Sequence, residues 1–278
     1  MQISASIVLY HNSKMQLLKA IHSFLDTNLE VKLYLIDNSG NDHLKDLQNI
    51  DNRVEYYFNN ANLGYGSAHN IALNKSINLK SEYHLILNPD VYFEKGVLEQ
   101  IYTHMSVNAN IGNIMPKVLF PDGEMQYLCK LLPSPIHLFL RRFLPKTNFF
   151  EKLDAFYELQ FSGYKTEMNV PYLSGCFMFI RTEALICVGL FDENFFMYLE
   201  DTDLNRRIHA KYQTVFYPDV SVIHEYEKGS YKQLKLLLYH IRSAIYYFNK
   251  WGWFFDRERG DINSQCLSSI KKNASLDG

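Results

Sequence analysis

The stretch LILNPDV, residues 85–91, decides the fold of this chain. It begins as an apolar run and ends on the polar triplet Asn88-Pro89-Asp90. Because proline cannot donate a hydrogen bond to a sheet, Pro89 predicts the point where a buried strand leaves the sheet. Asn88 and Asp90 would then lie at the carboxyl end of that strand, where open α/β sheets bind ligands. A carboxylate there suits a divalent cation that carries diphosphate oxygens. The alternative is a simple turn, since Asn, Pro and Asp all favour turns.

The chain before this stretch repeats a pattern of apolar strand, polar loop and helix. Strands are predicted at residues 7–10, 31–36 and 54–58, with helices after the first and the third. Strand alternating with helix implies an α/β fold with a mostly parallel central sheet flanked by helices. The loops after the strands then gather along one edge, which is the architecture of a nucleotide site.

The second half of the chain ends in a predicted helical extension. Its elements are strands at 114–120, 170–180, 215–217 and 220–224, and helices at 96–107, 204–210 and 234–253. Pro116 predicts that its strand has an edge character. The polar tail from Asn263 is expected to be mobile. We therefore expect a domain at residues 1–228, followed by a C-terminal helical extension and a mobile tail at 229–278.

The segment 131–161 differs in composition from its surroundings. Apolar residues there surround Arg141, Arg142 and Lys146. This pattern is typical of a basic amphipathic insertion that lies at a membrane interface. It is equally typical of a helix packed on the main domain, and the sequence leaves both interpretations open.

Composition and charge describe an ordinary soluble globular chain. Of the 278 residues, 47% are hydrophobic and 21% charged, and the net charge of −2 gives no reason to expect nucleic-acid binding. The four cysteines form no CxxC spacing and are expected to be reduced cytosolic thiols. We find neither a signal-peptide pattern at the start nor 18 consecutive apolar residues, so we expect a cytoplasmic protein without a transmembrane helix.

Three carboxylates stand within four residues at a predicted helix start, namely Glu200, Asp201 and Asp203. Acids favour a helix N-terminus, and Asp203 is spaced to pair with Arg207 on the helix surface, so a purely structural role is one interpretation. The aromatic run at 195–199 favours another. It would bury the backbone that leads to the acids, and carboxylates near apolar walls bind protons more tightly. A general base for a sugar hydroxyl needs that property.

Other strand ends carry candidate ligand-binding residues. Asp37 ends the second strand and could bind a base or ribose, although an Asx turn made by Asp37 or Asn38 is the alternative. The glycines at 64–66 lack the third glycine of a dinucleotide fingerprint, so they indicate close backbone approach to a ligand rather than a dehydrogenase. His224 also ends a strand. A lone histidine there is more often a core residue, but beside Asp90 it would suit Mn²⁺ or Mg²⁺.

As an ordered set, these motifs resemble the inverting family 2 glycosyltransferases of the GT-A fold, most closely the bacterial rhamnosyltransferase-like branch. They span about residues 3–228 in family order. The matching pieces are SIVLYHN at 6–12, DNS at 37–39, NLGYG at 62–66 with Asn70, LNPD at 87–90, SGCFM at 174–178, GLFDE at 189–193, FMY at 196–198, EDTDL at 200–204, and His224. Asn88 stands where the wider family has the first acid of an Asp-x-Asp motif.

The resemblance implies a role for each candidate residue. Those that bind the nucleotide sugar would be Tyr10, Asn12, Asp37, Asn62, Gly64, Asn88 and Asp90. Asp90 and His224 would bind Mn²⁺ or Mg²⁺. Asp201 would deprotonate the acceptor hydroxyl, and Glu200 would shape the acceptor side. The implied reaction is transfer of a sugar, with inversion, from a nucleotide donor to a saccharide acceptor.

The resemblance favours dTDP-rhamnose as the donor and leaves UDP-galactofuranose and other UDP-hexoses open. It implies a lipid-linked acceptor at the inner face of the cytoplasmic membrane, in synthesis of a surface polysaccharide such as O-antigen or capsule. Residues 131–161 and the helix near Trp251 and Trp253 would supply peripheral contact with an anionic membrane. A nucleotidyltransferase is disfavoured because the loop after the first strand has no glycine. A non-catalytic carbohydrate-binding or scaffold protein would explain the many aromatics but not Asp90, Asp201 and His224 together.

Overall fold

The structure is a computed structural model that describes residues 1–138, 148–225 and 234–274. Its strands are β1 Ile3–Leu9, β2 Val31–Asp37, β3 Val54–Phe58, β4 Tyr83–Leu87, β5 Val91–Tyr92, β6 Ile111–Leu119, β7 Cys129–Lys130, β8 Met168–Asn169, β9 Tyr172–Leu173, β10 Phe177–Arg181 and β11 Gln213–His224. Its helices are α1 Lys14–Leu25, α2 Tyr65–Asn78, α3 Val97–Val107, α4 Asn148–Tyr157, α5 Thr182–Val188, α6 Glu200–His209, α7 Leu234–Trp251 and α8 Arg257–Ala274.

The central sheet has the strand order β3-β2-β1-β4-β10-β6-β11-β5, with β8 also paired to β11. Strands β1 to β4, β6 and β11 run in one direction, and β5, β8 and β10 run against them. The predicted mostly parallel α/β sheet is thereby confirmed. The reversed strand β10 lies in the middle of the sheet and separates β1 to β4 from β6 and β11.

Both faces of the sheet are covered, as the sequence predicts. Ile7 of β1 packs in the main core with α1. The apolar face of α1, which includes Leu17, Ile21 and Phe24, is buried in the same core. The alternate residue Ser6 points to the opposite face, where it bonds with a residue of α2. This alternation is the period of two that a strand imposes on its side chains.

The stretch LILNPDV leaves the sheet at the predicted point. Strand β4 ends at Leu87, and Asn88 N donates to Cys176 O at 2.9 Å, outside the regular ladder. A turn closes when Val91 N donates to Asn88 O at 3.2 Å, and β5 then begins at Val91. The turn and the strand-end interpretation are therefore both correct, because the turn itself occupies the carboxyl edge of the sheet.

The edge character predicted for Pro116 is wrong. Strand β6 lies inside the sheet, between β10 and β11. It accommodates proline because β10 pairs with it only at Asn113 and Ile114, before Pro116. On the other side, the register with β11 shifts directly after the pair of Pro116 and Tyr217. The same irregularity explains why two strands were predicted where β11 is one.

The described part of segment 131–161 packs on the main domain. Leu131 and Tyr157 are buried in the same core as the central sheet. This supports the packed-helix interpretation for the described residues. Arg141, Arg142 and Lys146, on which the membrane interpretation depends, lie outside the described residues.

The C-terminal extension consists of α7 and α8, and the prediction of a mobile tail from Asn263 is wrong as far as Ala274. Helix α8 buries Cys266 and Ile270 in the main core, and Asn263 Oδ1 accepts a hydrogen bond from Leu132 N at 2.8 Å. The polar composition hid a narrow apolar face that begins at Ile262. A domain boundary near residue 228 stays a prediction. In the described ranges, no helix has the length and apolarity needed to cross a membrane.

Candidate active site

The loops after β1, β2 and β4 meet at one edge of the sheet, because these strands are parallel neighbours. His11 N donates to Ser39 Oγ at 3.1 Å, which ties the first loop to the second. Asn12 Oδ1 accepts a hydrogen bond from Tyr10 N at 2.7 Å. The Tyr10 residue is 48% exposed. An exposed aromatic ring at this edge can stack on a planar base.

Asp37 makes the Asx turn that the sequence offered as an alternative. Its Oδ1 accepts from Ser39 N at 2.8 Å, and its Oδ2 accepts from the Tyr56 hydroxyl at 2.7 Å. Asp37 is buried at 1% exposure. The carboxylate therefore shapes the loop in this structure, and its contact with a ribose stays a prediction.

The glycine loop before α2 approaches protein rather than open space. Gly64 has a φ of +88°, and a Cβ there would clash with the backbone oxygen of Phe196. Tyr65 N donates to that same oxygen at 3.0 Å, and Asn62 Oδ1 accepts from Gly64 N at 3.0 Å. Gly64 thus allows the loop before α6 to dock, and close approach of the glycines to a ligand stays a prediction. A role of Asn62 and Gly64 in nucleotide binding stays a prediction.

Asp90 and His224 lie side by side. His224 pairs with Val91 in the β5–β11 ladder, and Glu225 N donates to Asp90 O at 2.9 Å. This register brings His224 Nε2 to 3.4 Å from Asp90 Oδ1. Two residues that the sequence selected from distant strand ends are thus brought together.

The pair has the chemistry of an incomplete divalent-cation site. Asp90 Oδ1 is buried and accepts no hydrogen bond from the described residues. Two ligands at roughly 2.1 Å from one octahedral ion lie about 3–4 Å apart, which matches the separation of this pair. Across residues 1–138, 148–225 and 234–274, no group of three or more His, Cys, Asp and Glu side chains could hold a metal ion. Phosphate oxygens would have to supply the remaining ligands, as they commonly do for Mg²⁺.

Asp201 is held at the start of α6 by donors from two directions. Its Oδ2 accepts from Gly175 N at 2.9 Å and from the Tyr172 hydroxyl at 3.2 Å. Its Oδ1 accepts from Thr202 N at 2.7 Å. Leu199, which precedes the helix, has a φ of +66°, a conformation that redirects the chain into α6.

Glu200 is buried and the adjacent Asp201 is partly buried, in line with the burial that the aromatic run predicts. Burial raises the pKa of Asp201, and the backbone donors of Gly175 and Thr202 partly offset that rise. Burial, followed by the charge of Asp201, raises the pKa of Glu200 well above its ordinary value. Glu200 Oε2 is buried and finds no hydrogen-bond partner in the described part of the chain. Because the donors converge on Asp201, the negative charge belongs there and the proton belongs on Glu200.

Tyr65 joins the Asp201 region to the LILNPDV stretch. Its hydroxyl lies 2.7 Å from Gly175 O and 3.1 Å from Asn88 Oδ1. Burial raises the pKa of the neighbouring Cys176 to about 12, and the charges of Asp90 and Asp201 both contribute to the rise. The two acidic motifs therefore face one common site.

Helix α6 is fixed by the C-terminal extension. The predicted pair of Asp203 and Arg207 exists, with Oδ2 and Nε 2.9 Å apart, but Asp203 is buried rather than on the helix surface. Its Oδ1 also accepts from Trp251 Nε1 at 2.8 Å. Arg206 binds both carboxylate oxygens of Asp256 at 2.8 Å, and its guanidinium lies 4.1 Å from the Trp251 ring. The positions of the acids at the start of α6 thus depend on Trp251 and Asp256 of the C-terminal extension.

Sequence reasoning missed several residues that shape the site. Tyr172 gave no signal, while Gly175 stood in a quoted motif without a role. Gln126, which contacts His224, lies in a loop with no pattern of its own. Only the tertiary structure brings these residues to the candidate ligands.

Comparison with known proteins gives consistent findings. The family model described as Glycosyl transferase family 2 matches residues 6–189. N-acetylglucosaminyl-diphospho-decaprenol L-rhamnosyltransferase from Mycobacterium tuberculosis is 29% identical over 215 residues, covering 72% of this chain and 68% of the relative. The low-salt glycan biosynthesis hexosyltransferase Agl10 from Haloferax volcanii is 26% identical over 171 residues, covering 61% of this chain and 50% of the relative.

Solved structures share the fold. GalNAc-T7 with UDP, GalNAc and Mn²⁺ superposes with a TM-score of 0.61 at 18% identity, over 82% of this chain and 44% of that one. Residues 1–349 of S. aureus TarS in complex with UDP-GlcNAc superpose with a TM-score of 0.55 at 15% identity, over 82% of this chain and 60% of that one. The chain thus spans less than two thirds of either structure. Together with the family match, this similarity confirms the predicted GT-A-type α/β fold.

Proposed function

Since the chain belongs to glycosyl transferase family 2 and is therefore a glycosyltransferase, we propose that it transfers rhamnose, with inversion, from dTDP-rhamnose to a lipid-linked saccharide. The relative that is 29% identical supports this choice, because its name gives a rhamnosyl transfer to a sugar on a decaprenyl diphosphate. A UDP-hexose donor is the second candidate. It is favoured by the hexosyltransferase relative and by the UDP-GlcNAc complex of a structural neighbour.

The convergence of Asp90, His224 and Asp201 on one site carries the proposal. Asp201 accepts the proton of the acceptor hydroxyl while that oxygen attacks the anomeric carbon. The bond from the anomeric carbon to the donor diphosphate breaks, and its electron pair leaves with the diphosphate. Glu200, which holds its proton, borders the acceptor side without adding a second negative charge.

Asp90 Oδ1 and His224 Nε2 would hold Mn²⁺ or Mg²⁺ together with diphosphate oxygens. When bound, such a cation offsets the negative charge that develops on the departing diphosphate. The burial of Asp90 Oδ1, with no hydrogen bond from the described residues, supports the assignment. Tyr10, Asn12 and Asp37 would hold the base and ribose at the neighbouring strand ends.

The proposal extends to peripheral contact with an anionic membrane, where a lipid-linked acceptor lies. Phe254 and Phe255 are 71% and 98% exposed at the turn after α7. Lys235 and Arg242 are exposed along α7 and complement anionic headgroups.

We expect the protein to sediment with vesicles of phosphatidylcholine and phosphatidylglycerol, and a variant with both phenylalanines changed to serine to sediment less. Changing Val107, an exposed apolar residue on α3, to serine is the matched control. A wild-type protein that stays in the supernatant contradicts membrane contact.

A screen of nucleotide sugars tests the reaction itself. Purified protein is incubated with Mn²⁺ and one donor at a time, and release of the nucleoside diphosphate is measured. We expect release from dTDP-rhamnose above that from UDP-galactofuranose, UDP-glucose and UDP-GlcNAc. Preference for a UDP-sugar would establish the second candidate. Binding of saccharides without turnover of any donor would indicate the non-catalytic carbohydrate-binding alternative.

A further inference from the structure

Gln126 is enclosed between His224 and the end of β6. It is only 6% exposed, and its backbone N donates to Val118 O at 2.9 Å. A buried amide side chain needs partners for both its oxygen and its NH₂ group. Two of the atoms that its side chain contacts belong to His224, which points to a function beyond closing the loop.

The backbone fixes which way the Gln126 amide faces. Its Nε2 donates to His224 O at 2.9 Å and lies 3.4 Å from Leu119 O. Carbonyl oxygens only accept hydrogen bonds, so the NH₂ group must face them. The amide oxygen Oε1 is thereby turned toward the imidazole and lies 3.0 Å from His224 Nδ1.

That orientation also fixes the proton on the imidazole. An amide oxygen only accepts, so Nδ1 of His224 must carry the hydrogen of this bond. A neutral imidazole has a single N–H, and its other nitrogen then holds a lone pair. In His224 the other nitrogen is Nε2, which lies 3.4 Å from Asp90 Oδ1. A lone pair and a carboxylate oxygen at this distance repel each other unless a proton or a metal cation lies between them.

We propose that Gln126 is a positioning residue that holds neutral His224 as the Nδ1–H tautomer and so presents the Nε2 lone pair to a divalent cation shared with Asp90. The inference rests on the proposed function for the role of the cation, but the tautomer follows from this chain's own contacts. Metal-binding histidines commonly donate their second N–H to an outer acceptor, and loss of that acceptor typically weakens metal affinity about 10–100-fold.

Two substitutions separate this role from simple loop closure. Gln126→Met keeps the approximate length of the side chain and removes both the acceptor for Nδ1–H and the donor to the carbonyls. Gln126→Glu keeps an acceptor for Nδ1–H and removes the donor. If the amide only closes the loop, the two variants should behave alike. If it sets the tautomer, the Glu variant should retain metal binding that the Met variant loses.

The tautomer itself can be measured without a metal. Protein labelled with ¹⁵N-histidine is studied by long-range ¹H–¹⁵N correlation NMR at alkaline pH, with His224→Gln used to assign the resonance. We expect the Nδ1–H form in the wild type and in Gln126→Glu, and a mixture or the Nε2–H form in Gln126→Met. A wild-type His224 in the Nε2–H form would overturn the proposal.

Metal binding is then measured by titrating Mn²⁺ in the presence of dTDP, and separately of UDP, with free Mn²⁺ followed by electron paramagnetic resonance. We expect about 10–100-fold weaker binding in Gln126→Met and less than about a fivefold change in Gln126→Glu. Gln100→Met, at an exposed position on α3, is the control and should bind as the wild type does. Unchanged Mn²⁺ affinity in Gln126→Met would refute the positioning role. If the wild type binds no Mn²⁺ while NMR shows the Nδ1–H form, the metal assignment in the proposed function fails instead.

Discussion

The two halves of the candidate site are held in different ways. On the proposed donor side, backbone pairing between β5 and β11 sets the position of Asp90 and His224. On the proposed acceptor side, side chains hold α6, which carries Asp201: Trp251 Nε1 donates to Asp203, and Arg206 pairs with Asp256. The donor side is thus local to the sheet edge, whereas the acceptor side depends on the C-terminal extension.

This difference predicts that the two halves fail separately. A backbone register tolerates most side-chain substitutions, so a donor-side variant should lose only the ligand atom that was removed. A helix held by buried ion pairs is displaced when one partner is removed, because the remaining charge is left in a poorly solvated place. Variants therefore test whether donor binding and turnover can be uncoupled.

Asp201→Asn should show the largest effect. An amide in place of the carboxylate cannot accept the acceptor proton, so we expect kcat to fall about 10²–10⁴-fold. Donor binding should be unchanged, because the donor side is held by separate contacts. Transfer assays and calorimetry with the nucleotide sugar measure the two quantities. A purified variant with near wild-type transfer would remove Asp201 from the role of base.

Asp90→Ala should impair the proposed donor half of the site. We expect loss of the Mn²⁺-dependent part of donor affinity, because the carboxylate oxygen next to His224 is removed. The acceptor-side contacts of Asp201 should persist. Calorimetry with and without Mn²⁺ checks the prediction, and Asp26→Ala, at an exposed position in α1's C-terminal cap, is the control. Donor affinity that still depends on Mn²⁺ in the variant would contradict the metal assignment.

The sequence was sufficient to predict those candidate residues that a local pattern, such as the end of an apolar strand, identifies. Asp90 and His224 were found because each ends an apolar strand, and parallel strand ends meet at one edge. The choice of Asp201 over Glu200 as base came from family resemblance, since adjacent acids at a helix start look alike until their donors are known. Gln126 could not be found, because its proposed role depends on two backbone carbonyls that only the fold brings to it.

The errors have the same physical origin. A proline excludes an interior strand only where the neighbouring strands pair at its position, and β10 pairs with β6 only at Asn113 and Ile114. The tail from Asn263 looked mobile because most of its residues are polar, yet Cys266 and Ile270 suffice to anchor a helix on an existing core. Tertiary contacts overrode local composition in both places.

Arg206→Met should weaken the acceptor half through the fold. Arg206 and Asp256 are almost fully buried, and removing one partner of such a pair costs about 3–5 kcal/mol of unfolding free energy. Turnover should fall while dTDP affinity is preserved. Denaturation in urea measures the stability. Lys95→Met is the control, because its pair with Asp26 is exposed and such pairs contribute less than about 1 kcal/mol. Equal losses in the two variants would mean that the extension does not support α6.

Glu200→Gln should have the smallest effect at neutral pH, and it sharpens the contrast between the two adjacent acids. Burial and the charge of Asp201 raise the pKa of Glu200 well above its ordinary value, so Glu200 is neutral where Asp201 is charged. Gln imitates that neutral form, and we expect kcat at pH 7 to change less than about tenfold, well below the loss in Asp201→Asn.

The pH profiles of the wild type and of Glu200→Gln give the sign of the effect of the Glu200 proton. If Asp201 is the base, we expect wild-type activity to fall as the pH drops through its raised pKa, because a protonated base cannot accept a proton. Glu200 loses its proton as the pH rises through its own raised pKa, and the second charge then repels that of Asp201. Neutral Glu200 contributes stability that is fully present below its unfolded pKa and is lost as the pH rises to its raised folded pKa. Glu200→Gln should keep the fall in activity at low pH and lack the changes in activity and unfolding free energy that accompany deprotonation of Glu200. A change of that kind that persists in the variant would assign the proton to another group.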